Sequence, residues 1–284
     1  MTSEVSKAVL ITGCSSGIGR ATAILLAEQG WNVYATARRL ESIEDLKDKG
    51  CKTLALDVCD EQSMRAAVET IEAAEGAIGV LINNAGYSQQ GAVESVAIDE
   101  ARQQFETNVI GVLRLSQLVL PGMRQQGWGK VVNISSVGGK LTFPGGGIYH
   151  ASKHAIEAIS DAMRFELRGF GVDVILIEPG LITTNFGQAV AAHAGGASNA
   201  TDVYTKFNEK AIAITEGAFD SPLRITGGGP ETVAKKIAKA LGKRRPRARY
   251  AVTFSAHSML LSRKLTPDRL WDVAMGVQFP KPGN

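Results

Sequence analysis

Six short, nearly uninterrupted apolar runs constrain this chain more than any other feature. They are "AVLIT" (8–12), "WNVYAT" (31–36), "TLALDV" (53–58), "GVLINNAG" (79–86), "GKVVNISS" (129–136) and "VDVILIEPG" (172–180). A strand with one wet face alternates apolar and polar residues. A solid run is buried on both faces, which is how parallel sheets covered by helices read. Helical spacing fills the gaps. "GRATAILLAEQG" stops at Gly30, a residue suited to a C-terminal cap, and a charged helix over 40–50 stops at Gly50. Further helices are predicted over about 61–75, 99–120 and 148–168, the second with Phe105, Val109, Val112 and Leu113 at core-facing spacing. A helix at 231–241 and a short strand near 249–254 follow. The predicted fold is α/β, a doubly wound, mostly parallel seven-stranded sheet with helices on both faces. Right-handed crossovers then gather the strand C-termini along one edge, where ligands bind.

No linker or repeat divides the 284 residues, so one domain over 1–284 is expected. Within it, the small, polar stretch at about 185–225 is read as a substrate lid and about 255–284 as a helical extension. A net charge of +3 does not call for nucleic acid. The three cysteines show no C-x-x-C spacing, and the four histidines show no metal-ligand spacing. Neither a disulfide framework nor a metal site is expected, and a reducing compartment fits. Without an apolar leader segment or an apolar run of about 18 residues, the chain reads as cytoplasmic.

"TGCSSGIG" (12–19) joins the first strand to the first helix, with Gly13, Gly17 and Gly19 spaced G-x3-G-x-G. Glycine permits the tight turn and the close approach of a phosphate to the helix N-terminus. Together "TGCSSGIG", "NNAG" (83–86) and "YHASK" (149–153), in this order and at these separations, resemble the compact form of the short-chain dehydrogenase/reductase family over about residues 6–190. The resemblance implies a Rossmann-type fold with nucleotide contacts from Gly13, Ser15, Ser16, Gly17, Ile18 and Gly19. It also places Asp57 and Val58 near the adenine and Asn84, Ala85 and Gly86 along the cofactor. Asp57 as a plain solvated strand-end charge stays open.

The second strand ends "YATARR" with no acid at 36–39, where a fold of this type that prefers NAD carries one for the ribose 2′-hydroxyl. Arg38 and Arg39 stand there instead and match a 2′-phosphate, so NADP(H) is the expected cofactor, with Arg38 the first contact. The competing reading is a pair of solvated helix-start charges.

Tyr149 and Lys153 lie one helical turn apart and share a face. A free phenol titrates near pH ~10, too high for easy proton exchange at neutrality. A cation at about 4 Å contributes about 4 kcal/mol at an effective dielectric of ~20, enough for a shift of roughly three units. Tyr149 is therefore the candidate acid in reduction and base in oxidation. A surface tyrosine lying on a lysine stem is the plain alternative. The family pattern adds Ser136, to orient the substrate oxygen, with Ser135 as runner-up. It also adds Asn108, whose polar interruption of a helix would hold a water and begin a proton path to Lys153. Lys153 itself would also reach the nicotinamide ribose. "PGLITT" (179–184) is similar to the family's nicotinamide clamp, so that Pro179, Gly180, Ile182 and Thr184 join the cofactor set.

Phe186, Val190, Tyr204, Phe207 and Phe219 in the lid suggest a small, largely apolar carbonyl or alcohol substrate such as a steroid, retinoid or acyl-lipid, or else ordinary core packing. Gly145, Gly146 and Gly147 would leave space near the reacting carbon. "KRRPRAR" (243–249) is a solvated face or a weak contact with anionic lipid. By family analogy the 99–120 and 148–168 helices would pair subunits into a homodimer or homotetramer. The function expected is an NADP(H)-dependent alcohol dehydrogenase/carbonyl reductase. The rival is a non-catalytic NADPH-sensing regulator on the same scaffold.

Overall fold

The computed structural model describes residues 5–183, 203–220 and 226–282. Among them, seven strands form one sheet: β1 (Val9–Ile11), β2 (Val33–Ala37), β3 (Lys52–Ala55), β4 (Val80–Asn83), β5 (Gly129–Ile134), β6 (Val172–Glu178) and β7 (Arg249–Ala251). Their order is β3-β2-β1-β4-β5-β6-β7 and every pairing is parallel. The helices are α1 (Gly17–Glu28), α2 (Glu61–Glu75), α3 (Ile98–Phe105), α4 (Gly111–Gln125), α5 (Gly147–Leu167), α6 (Thr205–Asp220), α7 (Pro230–Leu241), α8 (Phe254–Leu265) and α9 (Asp268–Gln278).

Alternate residues of each strand point to opposite faces, and the two faces carry separate cores. Val9, Ile11, Val80 and Ile82 pack with Ala23 and Leu26 of α1 and Ile237 of α7. Leu10 and Leu81 pack with Ile71 of α2, Leu115 and Val119 of α4, and Met163 of α5. This is why the strands read as solid apolar runs. The strand order reverses between β1 and β4, so the crevice beyond their C-terminal ends is the ligand position of a doubly wound sheet.

Two expected helices differ. Residues 40–50 form a tighter 3₁₀ segment, Leu40–Lys49, closed by Gly50 in the left-handed region (φ 82°). The predicted helix at 99–120 is α3 and α4 joined by a π turn, Glu106–Ile110. Within the stretch read as a lid, α6 is helical; Thr184, Phe186 and Val190 lie outside the described residues, as does the side chain of Phe219.

Candidate active site

At the β1 end the backbone makes the site. Gly13 sits at φ 72° and Gly17 at φ 58°, both left-handed. A methyl group added at Gly19 would lie 2.4 Å from both Gly13 O and Asn84 Nδ2. Asn84 Nδ2 donates to Thr12 O (2.9 Å) and Gly13 O (3.0 Å). The amides of Asn84 and Ala85 donate to Thr12 Oγ1 at 3.0 and 2.9 Å, tying the end of β4 to the glycine turn. Ser16 begins α1 without a side-chain cap, and no acid stands in the first turn, so the helix end is open to an anion. Ser15 and Ser16 are exposed, while Ile18 packs against the core. Buried Cys14 is a spacer: desolvation pushes its thiol up to about 12.

Arg38 and Arg39 are exposed just beyond β2, on the same edge. Asp57 is half-buried and its carboxylate accepts from Cys59 N at 3.0 Å, a local turn into α2. Val58 is buried against the start of α4; a methyl group at Gly111 would lie 2.5 Å from Val58 O.

The second group gathers beyond β4, β5 and β6. The π turn puts Asn108 in the interior, 1% exposed. Its Oδ1 accepts from Tyr87 N (3.2 Å), and its Nδ2 donates to Tyr87 O (3.0 Å) and Ser152 Oγ (3.1 Å). The expected start of a water path to Lys153 is thus an amide already committed to the chain following Gly86. A methyl group at Gly86 itself would lie 2.9 Å from Asn108 Oδ1. Ser136 follows β5, accepts from Gly138 N at 3.0 Å, and makes a side-chain hydrogen bond with Tyr149. The runner-up Ser135 turns away: a methyl group at Gly139 would meet its Oγ at 2.8 Å and Glu157 Cγ at 2.9 Å.

Lys153 is buried on α5 with its Nζ 5.8 Å from the centre of the Tyr149 ring. That nitrogen donates to Ile134 O at 2.8 Å. The expected acidification of the phenol is corrected here. Burial holds Tyr149 above its ordinary value, with Ser136 opposing, while burial pulls Lys153 down to about 8 and Glu157 opposes. Pro179 accepts from Val137 N at 3.0 Å, beside this group. Gly180 lies against the start of α8, where a methyl group would meet Thr253 Oγ1 at 2.5 Å. Ile182 is buried and bridges to Gly228.

The glycines at the start of α5 do not leave open space. Methyl groups at Gly145, Gly146 and Gly147 would strike Ala211 Cβ (2.7 Å), His150 Cε1 (2.6 Å) and Val93 Cγ2 (2.7 Å). Nearby, Ala92, Phe207, Ala211, Met275 and Phe279 form an apolar cluster with Phe143, Tyr204 and Trp271. Rings link it to the site: Tyr149 to His150 (5.5 Å), His150 to Phe143 (6.0 Å) and Phe143 to Trp271 (6.2 Å). A groove of about 890 Å³ lies instead at the opposite sheet edge, lined by Trp31, Trp128 and the cations Lys243, Arg244 and Arg245. Arg249, the last cation of that basic stretch, is no solvated charge, for it pairs inward with Glu157, Asp161 and Glu178.

Those carboxylates escaped the sequence reading. Glu157 stands four residues after Lys153, and Glu178 directly follows the apolar run at 174–177, so both carried a signal.

An α/β sheet with this order, glycine turn and Tyr–Lys helix defines a dinucleotide-fold oxidoreductase. The short chain dehydrogenase family matches residues 7–195, and the chain belongs to that family. Over 273 residues it is 37% identical to an NADPH-dependent 3-dehydrocapnine reductase of Ornithobacterium rhinotracheale, covering 93% of this chain and 94% of the relative. It is 36% identical to 17-beta-hydroxysteroid dehydrogenase type 1 of Homo sapiens, covering 86% and 77%. A solved short-chain dehydrogenase/reductase from Burkholderia phymatum in complex with NAD superposes with a TM-score of 0.77 at 26% identity, covering 98% and 97%.

Proposed function

We propose that this chain is an NADP(H)-dependent oxidoreductase that interconverts a secondary alcohol and a ketone on a largely apolar substrate. The observation that carries the reading is the Tyr149 phenol, hydrogen-bonded to Ser136 and lying beside buried Lys153, on the sheet edge that also bears the glycine turn. The cofactor's phosphates suit the uncapped start of α1, where Gly13 and Gly19 let the turn close tightly on Asn84 and Ala85. Exposed Arg38 and Arg39 suit a 2′-phosphate, and the NADPH-dependent relative supports that choice. When bound, such a cofactor supplies or accepts the hydride.

The chain's own residues handle the proton and the oxygen. Ser136 holds the substrate oxygen near the phenol. Tyr149 O–H donates to that oxygen in reduction, and the phenolate takes the proton back in oxidation. Lys153, as an ammonium, stabilises the phenolate. Asn108 fixes the chain at Tyr87 through two hydrogen bonds and ties it to Ser152 of α5 through a third. The apolar cluster around Phe143, Phe207 and Trp271 supports an apolar substrate, in line with the steroid dehydrogenase relative. Exposed Phe165 and Ile110, on and beside the α5 and α4 helices, support a homo-oligomer built on those helices.

Tyr149→Phe tests the reading. Turnover of a ketone and alcohol panel with NADPH or NADP+ should fall about 10²–10⁴-fold, while NADPH binding followed by its fluorescence stays close to that of the parent. Unchanged turnover removes Tyr149 from the chemistry. A parent that binds NADPH and turns over nothing favours the sensor.

A further inference from the structure

We propose that Glu157 is a positioning residue that holds Lys153 as an ammonium from one turn further along α5, and that a proton shared with Glu178 tunes this support. The proposal rests on the functional reading only in so far as that reading needs a charged Lys153.

Lys153 and Glu157 are four residues apart on the buried face of the helix, 8% and 4% exposed. A buried ammonium whose hydrogen bond goes to a backbone carbonyl tends to lose its proton, and Glu157 is the acid whose charge opposes that loss. Three elements surround Glu157. After β5, Lys140 Nζ lies 3.1 Å from Glu157 Oε2. From β7, Arg249 Nε lies 3.0 Å from Glu157 Oε2 and 3.3 Å from Glu178 Oε1, while its Nη2 reaches Asp161 at 2.6 Å. Asp161 also holds Arg164 at 2.7 Å. From the end of β6, Glu178 meets Glu157 across the same Arg249 guanidinium. Among the described residues, no donor meets hydrogen-bond geometry at either Oε1, although both atoms are buried. Two carboxylates held this close in the interior repel each other unless one takes up a proton, so the pair is placed to share one.

Burial and the charge on Glu157 push Glu178 up to about 7. Glu178 therefore gains a charge near neutrality, a second one beside the Glu157 carboxylate that Lys140 and Arg249 hold. The second charge appears just below the range in which Lys153 begins to lose its proton, and added negative charge raises a lysine's pKa. Glu157 with Glu178 thus extends the alkaline range over which Lys153 stays charged.

The test is the titration of Lys153, read by NMR of lysine labelled with ¹³C at the ε-methylene, beside pH profiles of kcat/KM. Glu157→Gln should move the Lys153 titration and the alkaline limb down by about one pH unit. Glu178→Gln, which leaves Glu157 ionised, should move both by less. Asp161→Asn also breaks a pair with Arg249 but should move neither. An unmoved lysine in folded Glu157→Gln, or an equal shift in Asp161→Asn, overturns the proposal. If Glu157→Gln does not fold, an unmoved lysine in Glu178→Gln overturns it. A shifted lysine in a chain that turns over no carbonyl upholds the proposal and removes the functional reading instead.

Discussion

The two halves of the ligand edge are made of different materials. The glycine turn is backbone: Thr12, Gly13 and Gly19 approach the end of β4 so closely that a single amide side chain, Asn84, braces the ends of β1 and β4. The α5 half is side chain: Tyr149, His150, Lys153 and Glu157 are titratable and held in or near the core. The first half should be indifferent to pH and intolerant of one added carbon. The second should tolerate modest changes of shape and respond to charge.

The sharpest break of that contrast is Gly19→Ala. Its new methyl group would meet a backbone carbonyl and the Asn84 brace at 2.4 Å, and the carbonyl cannot swing aside. Overpacking of this kind costs about 3 kcal/mol, and NADPH binding should vanish with it. Thermal unfolding and fluorescence titration read the two effects. An Ala variant as stable as the parent and still binding NADPH would mean that the turn is not the rigid cradle described.

The same division decides what could be read from the chain. Backbone features speak through local spacing. The apolar runs became the strands, the helix expected over 61–75 became α2, and the glycine spacing fell in the first βα turn. The charged interior of α5 depends on partners far along the chain. Arg249 and Glu157 are 92 positions apart, and nothing in "KRRPRAR" distinguishes the one arginine that a strand carries inward. The π turn at Asn108 was hidden for a related reason. A helix with one extra residue keeps nearly the same periodicity while rotating a polar residue into the core. Gly145, Gly146 and Gly147 were read as space because a missing side chain looks like room, whereas Ala211, His150 and Val93 fill it.

His150 probes the charge-sensitive half by stability rather than turnover. It is 7% exposed, its Nδ1 is buried with no hydrogen-bond partner among the described residues, and desolvation pulls it down to about 4. The unfolded chain binds this proton near pH ~6.5. The unfolded state therefore holds more protons between those values, and stability falls as pH drops from about 6.5 towards 4. The fall amounts to about 3 kcal/mol, up to ~1.4 kcal/mol per pH unit. His150→Asn should flatten that dependence when unfolding by urea is followed at several pH values in this window. An identical slope in the variant would show that His150 is protonated in the folded chain. It would also blur the contrast, because the α5 half would then not be dry.

The smallest effect sharpens the comparison from the nucleotide side. Arg38 and Arg39 are the charges beyond β2 that the sequence singled out, and they are exposed rather than built in. A solvated guanidinium adds affinity only where a ligand brings the charge to it. A hydrogen bond to a charged group contributes about 1.5–3 kcal/mol, a factor of roughly 10–100 in affinity. Arg38→Ala should therefore weaken NADPH by about that factor and leave NADH nearly unchanged, with Arg39→Ala showing a smaller effect. Salt should narrow the gap between the two cofactors in the parent, because exposed charges are screened. If Arg38→Ala weakens both cofactors equally, the arginine supports the turn rather than reading the 2′-phosphate. If the parent already binds NADH more tightly, the choice of NADP(H) falls, while the backbone cradle, which meets only the phosphates common to both, stands.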